Sequence, residues 1–164
     1  MIGQNIVYDT LHKLKIPYEY YESPRDFSSE DDGAFWKRIG AERCKNLFLR
    51  NHKGNQHFLV ISKYYEEFRV KILEDHFKKG KISFASEKRM DKWIKTKAGA
   101  VSVFSLLNDT ENHIKVFVDE SLKDIKYVTF LPNMHNAILK ISTTDFIRLL
   151  NYSRNEWEFF KLRD

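Results

Sequence analysis

Apolar residues in this chain recur at two spacings. Near the N-terminus Ile6, Val7, Leu11 and Leu14 follow the spacing of a helix, and Pro17 closes the segment. "YEYYE" (18–22) reads as extended. Ser28 and Ser29 stand three residues before Asp31 and Asp32, an N-cap pattern for a helix to about Ile39 that Gly40 can end. "KNLFLR" and "QHFLVIS" flank "NHKGN", which predicts a β-hairpin around a Gly- and Asn-containing turn. A short helix around 69–77 places Val70, Leu73 and Phe77 on one face. "KISFAS" (81–86) reads as a strand, and Ser86 caps a helix carrying Met90, Trp93 and Ile94.

Downstream, "KAGAVSVFSLLND" (97–109) is apolar without a clear period and reads as a loop. "HIKVFVD" (113–119) alternates like a strand, and "KYVTFL" and "AILKIS" around "PNMHN" predict a second hairpin. Thr143 or Thr144 caps a last helix near 145–151, and the tail "EWEFFKLRD" suits either a strand or a helix. No period repeats along the chain, which argues against a solenoid. Hairpins supply most strand pairs, so the pattern predicts an α/β chain of the α+β kind, mostly antiparallel, with helices outside the sheet. The whole of 1–164 reads as a single domain.

One position disturbs the pattern. With a strand starting at Lys45, alternation puts Lys45, Leu47 and Leu49 on one face and Asn46, Phe48 and Arg50 on the other. Such a lysine either lays its stem on apolar surface and lifts its ammonium to water, or stands at the rim of a pocket to meet an anion.

Composition narrows the classes. Apolar residues make up 42% of the 164, with 13 Phe, which excludes a disordered chain. The net charge of +5 permits a nucleic-acid partner without establishing one. The N-terminus lacks the basic start and continuous apolar run of a signal peptide. No segment approaches the apolar length that spans a bilayer, so no membrane partner is expected. Cys44 has no second cysteine to pair with, which fits a cytoplasmic location. It is either an activated thiol beside Lys45 or a small buried hydrophobe.

The chain has no G-x-S-x-G, no Walker loop and no Cys-rich zinc pattern, and its six histidines show no ligand spacing. No metal and no cofactor are expected. In "SEKRMDKWIKTK", Lys88, Lys92 and Lys95 share a helical stripe beside Arg89 and Lys97. That stripe is either a solvated face or a surface that tracks phosphates.

Taken together, "KNLFLRNHKGNQHFLVI", "KISFAS", "GAVSVFSLLND", "VFVDESL" and "FLPNMHNAILKISTTDF" resemble the prolyl-tRNA editing domains. These comprise the free-standing ProX-type deacylases, the YbaK proteins and the editing insertion of bacterial prolyl-tRNA synthetases. The likeness runs in order from about residue 30 to 150. It implies a compact domain with a mostly antiparallel, barrel-like mixed sheet and flanking helices. It also implies hydrolysis of amino acids wrongly joined to proline tRNA, alanine being the usual one, and association with prolyl-tRNA synthetase.

By resemblance, the family's lysine falls on Lys45, and its glycine loop falls on Gly99, Ala100, Val101, Ser102, Val103 and Phe104. Its F-H-P segment falls on Phe130, Leu131 and Pro132, and its N-T-A-T on His135, Asn136, Ala137 and Ile138. Three departures stand out: Val103 replaces the loop proline, Leu131 replaces the histidine, and His135-Asn136 replaces Asn-Thr. Loss of the proline loosens the loop, and Leu131 removes a polar group from the pocket mouth.

The resemblance assigns Lys45 and Gly99 to catalysis. It assigns residues 100–104, Leu131, Pro132, His135 and Asn136 to substrate binding. The basic stripe of Lys88, Arg89, Lys92 and Lys95 is expected to meet tRNA. With no protein nucleophile evident, a substrate-assisted hydrolysis is expected, in which the tRNA's ribose hydroxyl helps with proton transfer and the protein supplies position and electrostatics. The competing class is a non-catalytic module of the same fold that binds tRNA or an amino acid.

Overall fold

The structure, a computed structural model, describes residues 1–22, 33–78 and 80–163. The N-cap pattern at Ser28–Asp32 lies outside the described residues. In chain order the elements are α1 (Asn5–Lys13), β1 (Glu19–Glu22), α2 (Ala34–Ile39), β2 (Glu42–Asn51), β3 (His57–Lys63), α3 (Lys71–Phe77), β4 (Ile82–Phe84) and α4 (Glu87–Ile94). They continue with a 3₁₀ turn (Val103–Asn108), β5 (Lys115–Asp119), a second 3₁₀ turn (Glu120–Asp124), β6 (Tyr127–Phe130), β7 (Ala137–Ser142), α5 (Thr143–Ser153) and β8 (Trp157–Phe160).

The eight strands form one mixed sheet in the order β1-β7-β6-β2-β3-β5-β8, with β4 attached to β2. Both expected hairpins are present, β2–β3 and β6–β7. Antiparallel pairs outnumber parallel ones by four to three. The parallel pairs β2–β6, β3–β5 and β5–β8 stitch the hairpins together, and sequence-neighbour reasoning misses all three. The tail resolves as a strand because β5 offers it a free edge.

Local chemistry explains most boundaries. Gly40 ends α2 at φ 67, a left-handed conformation that glycine adopts without penalty. Ser86 Oγ accepts the Arg89 amide and starts α4. The last helix starts earlier than expected: its cap is Ser142, whose Oγ accepts the Asp145 amide, and not Thr143 or Thr144. The expected loop 97–109 contains a 3₁₀ turn, with Ser102 and Ser105 capping each other. Its three-residue period hides inside a continuous apolar run.

β2, β3 and β5 form a layer with a core on each face. Leu59, Ile61, Val116 and Val118 point into the main core with α1, α5 and the first 3₁₀ turn. Leu49, Phe58, Val60 and Phe117 point the other way, into a smaller core closed by Leu73 and Leu162. This two-sided burial makes β3 almost continuously apolar.

Candidate active site

Lys45 lies where the sheet changes partners. The β2–β6 ladder stops at Arg43, and the β2–β4 ladder begins at Leu49. Among the described residues, positions 44–48 are therefore laddered along one edge only, to β3. The far end of this gap is closed by the Ala85 amide, which donates to the Phe48 carbonyl at 2.9 Å. A break in a sheet leaves strand backbone available to something other than a strand.

Cross-strand neighbours explain the direction of Lys45. Leu47 opposes Val60, and Val60 opposes Phe117, giving an apolar row on the smaller core. Two residues further along the same face the row turns polar: Lys45 opposes Ser62, and Asp119 follows Phe117. Ser62 Oγ lies 3.5 Å from Asp119 Oδ2. Lys45 Nζ donates to the Glu66 carbonyl, and Arg163 pairs with Asp119. Arg163 also reaches Glu66 Oε2 at 3.0 Å and donates to Ser62 Oγ at 3.2 Å.

Burial, followed by the positive charge of Arg163, holds the Lys45 ammonium below the usual lysine range, while Glu67, Glu66 and Asp119 pull the other way. A groove of about 440 Å³ opens beside this row, with Glu66, Asp119, Ser121 and Arg163 in its wall. On the opposite face of β2, Asn46 carries a buried Oδ1 with no hydrogen-bond partner. Cys44 packs against the main core, and burial pushes its thiol well above the usual range. That environment suits a small hydrophobe and works against an activated thiolate.

The glycine loop and the second hairpin meet at a buried polar junction. Asn133 Oδ1 accepts from Ser102 Oγ at 3.0 Å and from Ser105 Oγ at 2.9 Å. Asn133 Nδ2 donates to Gln4 Oε1, and the Gln4 amide donates to the Pro132 carbonyl. The structure thus brings the loop (Ser102, Val103, Phe104) to the turn that carries Leu131 and Pro132. Gly99 is exposed, with φ 85, a conformation that favours glycine. The Ala100 amide is spent on the Lys97 carbonyl and the Ser102 amide on Ser105 Oγ. Pro132 is buried, while Leu131, His135 and Asn136 are half-buried.

Lys45 and the loop side chains do not come together. Val101, Val103 and Phe104 pack in the main core, whereas Lys45 stands on the face of the smaller one. They approach the strand layer from opposite sides.

The basic stripe also divides. Lys88, Lys92 and Lys95 are exposed. Arg89 turns inward, donating to the Gly54 carbonyl at 2.9 Å and facing His57 Nε2 at 3.1 Å. His57 Nδ1 lies 2.8 Å from His113 Nε2, and Trp93 stacks on His113 at 3.8 Å. Burial, then His113 and Arg89, lower His57 to about 4, so it is a neutral structural ring at pH 7.

Sequence reasoning missed Ser62, Glu66, Asp119, Arg163 and Asn133. Ser62 and Asp119 become visible once the register is known, since each sits two residues beyond an inward apolar residue of its strand. Nothing local marks Arg163.

The model of the aminoacyl-tRNA editing domain matches residues 37–149. The prolyl-tRNA editing protein ProX of Acetoanaerobium sticklandii is 32% identical over 99% of both chains. A crystal structure described as a candidate trans-editing enzyme for prolyl tRNA synthetase superposes with a TM-score of 0.71 at 13% identity, covering 99% of each chain. The crystal structure of hypothetical protein APE2540 gives 0.72 at 14% identity, over 93% of this chain and 97% of that one. The last two carry the fold alone. No helix among the described residues is long and apolar enough to cross a membrane. The family model over residues 37–149 and a relative 32% identical over nearly the whole chain together place the chain: it belongs to the aminoacyl-tRNA editing domain family and is an aminoacyl-tRNA deacylase.

Proposed function

We propose that this chain, acting as one domain over 1–164, hydrolyses mischarged proline tRNA in trans, with the alanyl ester preferred. The observation that carries this is the gap at residues 44–48, with a half-buried ammonium beside it. Lys45 receives the phosphate or ribose region of the terminal adenosine by giving up its bond to the Glu66 carbonyl. Within Gly99–Ser102, the amides of Gly99 and Val101 make none of the bonds described above, and they steady the ester carbonyl or oxyanion.

Residues 100–104 with Leu131, Pro132, His135 and Asn136 wall the acyl side. Hydrolysis is substrate-assisted: water attacks the ester carbonyl, the neighbouring ribose hydroxyl relays the proton, and the acid and free tRNA leave. Exposed Lys88, Lys92 and Lys95 track phosphates, and Arg89 braces the helix that carries Lys88 and Lys92. Work in the cytoplasm beside prolyl-tRNA synthetase follows from the same reading.

Leu131 leaves an apolar rim that offers no replacement for the hydrogen bonds a polar side chain gives up to water. The walls exclude a larger ring by clash. Alanyl-tRNA is therefore cleaved faster than seryl-tRNA, and prolyl-tRNA slowly. The test is multiple-turnover deacylation of the three esters on one proline tRNA. A profile favouring serine overturns the rim, and binding without turnover favours the non-catalytic module.

A further inference from the structure

Phe84, at 65% exposure, is the most open Phe, Tyr or Trp among the described residues. A lone exposed ring carries no message by itself. Its place in the fold does. Phe84 ends β4, a three-residue strand attached to the sheet through β2. An open apolar side chain on such an edge invites unwanted pairing, and edges are ordinarily blunted with charge.

The register sets the ring beside the gap at residues 44–48. Phe84 opposes Leu49 on β2, and the next amide, that of Ala85, closes the gap at the Phe48 carbonyl. Opposed residues share a face, so Phe84 stands with Leu49, Leu47 and Lys45. Its strand neighbour on that face, Ile82, packs in the smaller core, which fixes the side. Lys45 is four residues along β2 from Leu49 and one strand across from β4, about 14 Å from Phe84 between backbones. Half-buried Leu47 lies between them. Past Phe84 the chain turns through Ala85 and Ser86 into α4, whose first turn carries exposed Lys88.

The order is thus an ammonium, an apolar floor, an open ring and a basic helix. Single-stranded nucleic acid is held by that combination: cations follow the phosphates, and aromatic rings take successive bases on their faces. A net charge of +5 and the exposed Lys88 and Lys92 favour a polyanion over a second copy of this chain. The substrate of an aminoacyl-tRNA deacylase ends in an unpaired 3′ strand.

Resting on the reading of Lys45 as the seat of the terminal adenosine, we propose that Phe84 is a substrate-binding residue whose ring stacks the base of the nucleotide preceding that adenosine. Lys45 and Phe84 then hold two successive nucleotides, and the cations of α4 meet phosphates further upstream. The stacked base is separated from the ester by the terminal nucleotide, so this contact requires nothing of the walls around the acyl group. Stacking tolerates any base, so it contributes affinity and position, not sequence reading.

The experiment is a binding cycle on uncharged proline tRNA, with the base removed either from the nucleotide before the terminal adenosine or from that adenosine. Removing the preceding base should weaken binding to the wild-type chain about fivefold to a hundredfold, the range of base stacking on an aromatic side chain. Phe84→Ala should lose a similar factor on intact tRNA and be indifferent to that removal. Phe84→Trp should restore both, while Phe84→Leu, apolar but without a stacking face, should not. In turnover of alanyl-tRNA, Phe84→Ala should raise KM with kcat nearly unchanged.

Independent losses from Phe84→Ala and the missing base overturn the proposal, as does coupling to the terminal base in place of the preceding one. A dimer of the free chain that Phe84→Ala dissolves shows the ring's partner to be a second copy and also overturns it. Binding is read without turnover, so a chain that shows the coupling and hydrolyses nothing keeps the platform and overturns the proposed hydrolysis. Lys45→Ala that binds intact tRNA as tightly as the wild type removes the seat from which the register is counted and overturns both. Should Phe84→Ala not fold by circular dichroism, the wild-type response to the missing base and the Phe84→Leu and Phe84→Trp affinities decide.

Discussion

Two of the polar clusters described above stand on opposite sides of the strand layer, and they are built on different principles. The Ser102–Asn133 junction is neutral, and its hydroxyl and amide groups bond to one another and to Gln4. A buried network satisfied in this way rigidifies and positions. The Lys45–Ser62–Asp119 row is charged and borders a groove, and its balancing cation arrives from outside the layer. Charges buried at an opening are costly in the free chain and can be traded for those of a ligand. The first cluster should matter chiefly to stability and the second chiefly to turnover, and the two can be separated by substitution.

The largest expected effect is on the charged row. Lys45→Ala should lower deacylation of alanyl-tRNA tenfold to a thousandfold, the loss of a positioning contact worth about 1.4–4 kcal/mol. Its urea midpoint should move little, because the Asp119–Arg163 pair survives and the freed Glu66 carbonyl lies near solvent. Near wild-type turnover in the folded variant would remove Lys45 from the site. The reciprocal experiment is Asn133→Ala. It strips partners from Ser102, Ser105 and Gln4 at once, and should cost about 2–4 kcal/mol of stability. Turnover per folded molecule should fall far less than in Lys45→Ala. A collapse of turnover at unchanged stability would move the junction into the catalytic machinery and break the comparison.

Sequence showed these clusters unequally. Local signals survive well: the Ser86 cap, the Gly40 stop and both hairpins stand where pattern and turn chemistry put them. Lys45 was visible as a misfit, a charge in register with Leu47 and Leu49. Its partner row was hidden because Asp119 arrives through parallel pairing of β3 with β5, and no short-range rule sets that register. Asn133 was hidden differently. In "PNMHN" it reads as an ordinary turn residue, and its left-handed φ of 63 is common for asparagine there. Only the fold shows that it is buried against a loop 28 residues away.

His57 sharpens the comparison, because it belongs to the neutral class at pH 7 and joins the charged class in acid. Its ring is 1% exposed, stacks on Phe48 and sits between His113 and Arg89. Burial, then those two neighbours, lower it from 6.5 to about 4. Between those values the unfolded chain binds a proton that the folded chain refuses. Stability should therefore fall as pH drops from about 6.5 toward 4, by roughly 3 kcal/mol in all, and level off below. Urea midpoints at pH 7, 5.5 and 4.5 measure this. His57→Phe keeps the ring packing and removes the titration, so its midpoint should start lower at pH 7 and decline less steeply in acid. Deacylation per folded molecule should show the same ratio between pH 7 and 5.5 in both proteins, since nothing in the charged row contacts this ring. Parallel stability slopes would mean that the acid sensitivity lies elsewhere, and a changed activity ratio would tie the histidine pair to the site across the layer.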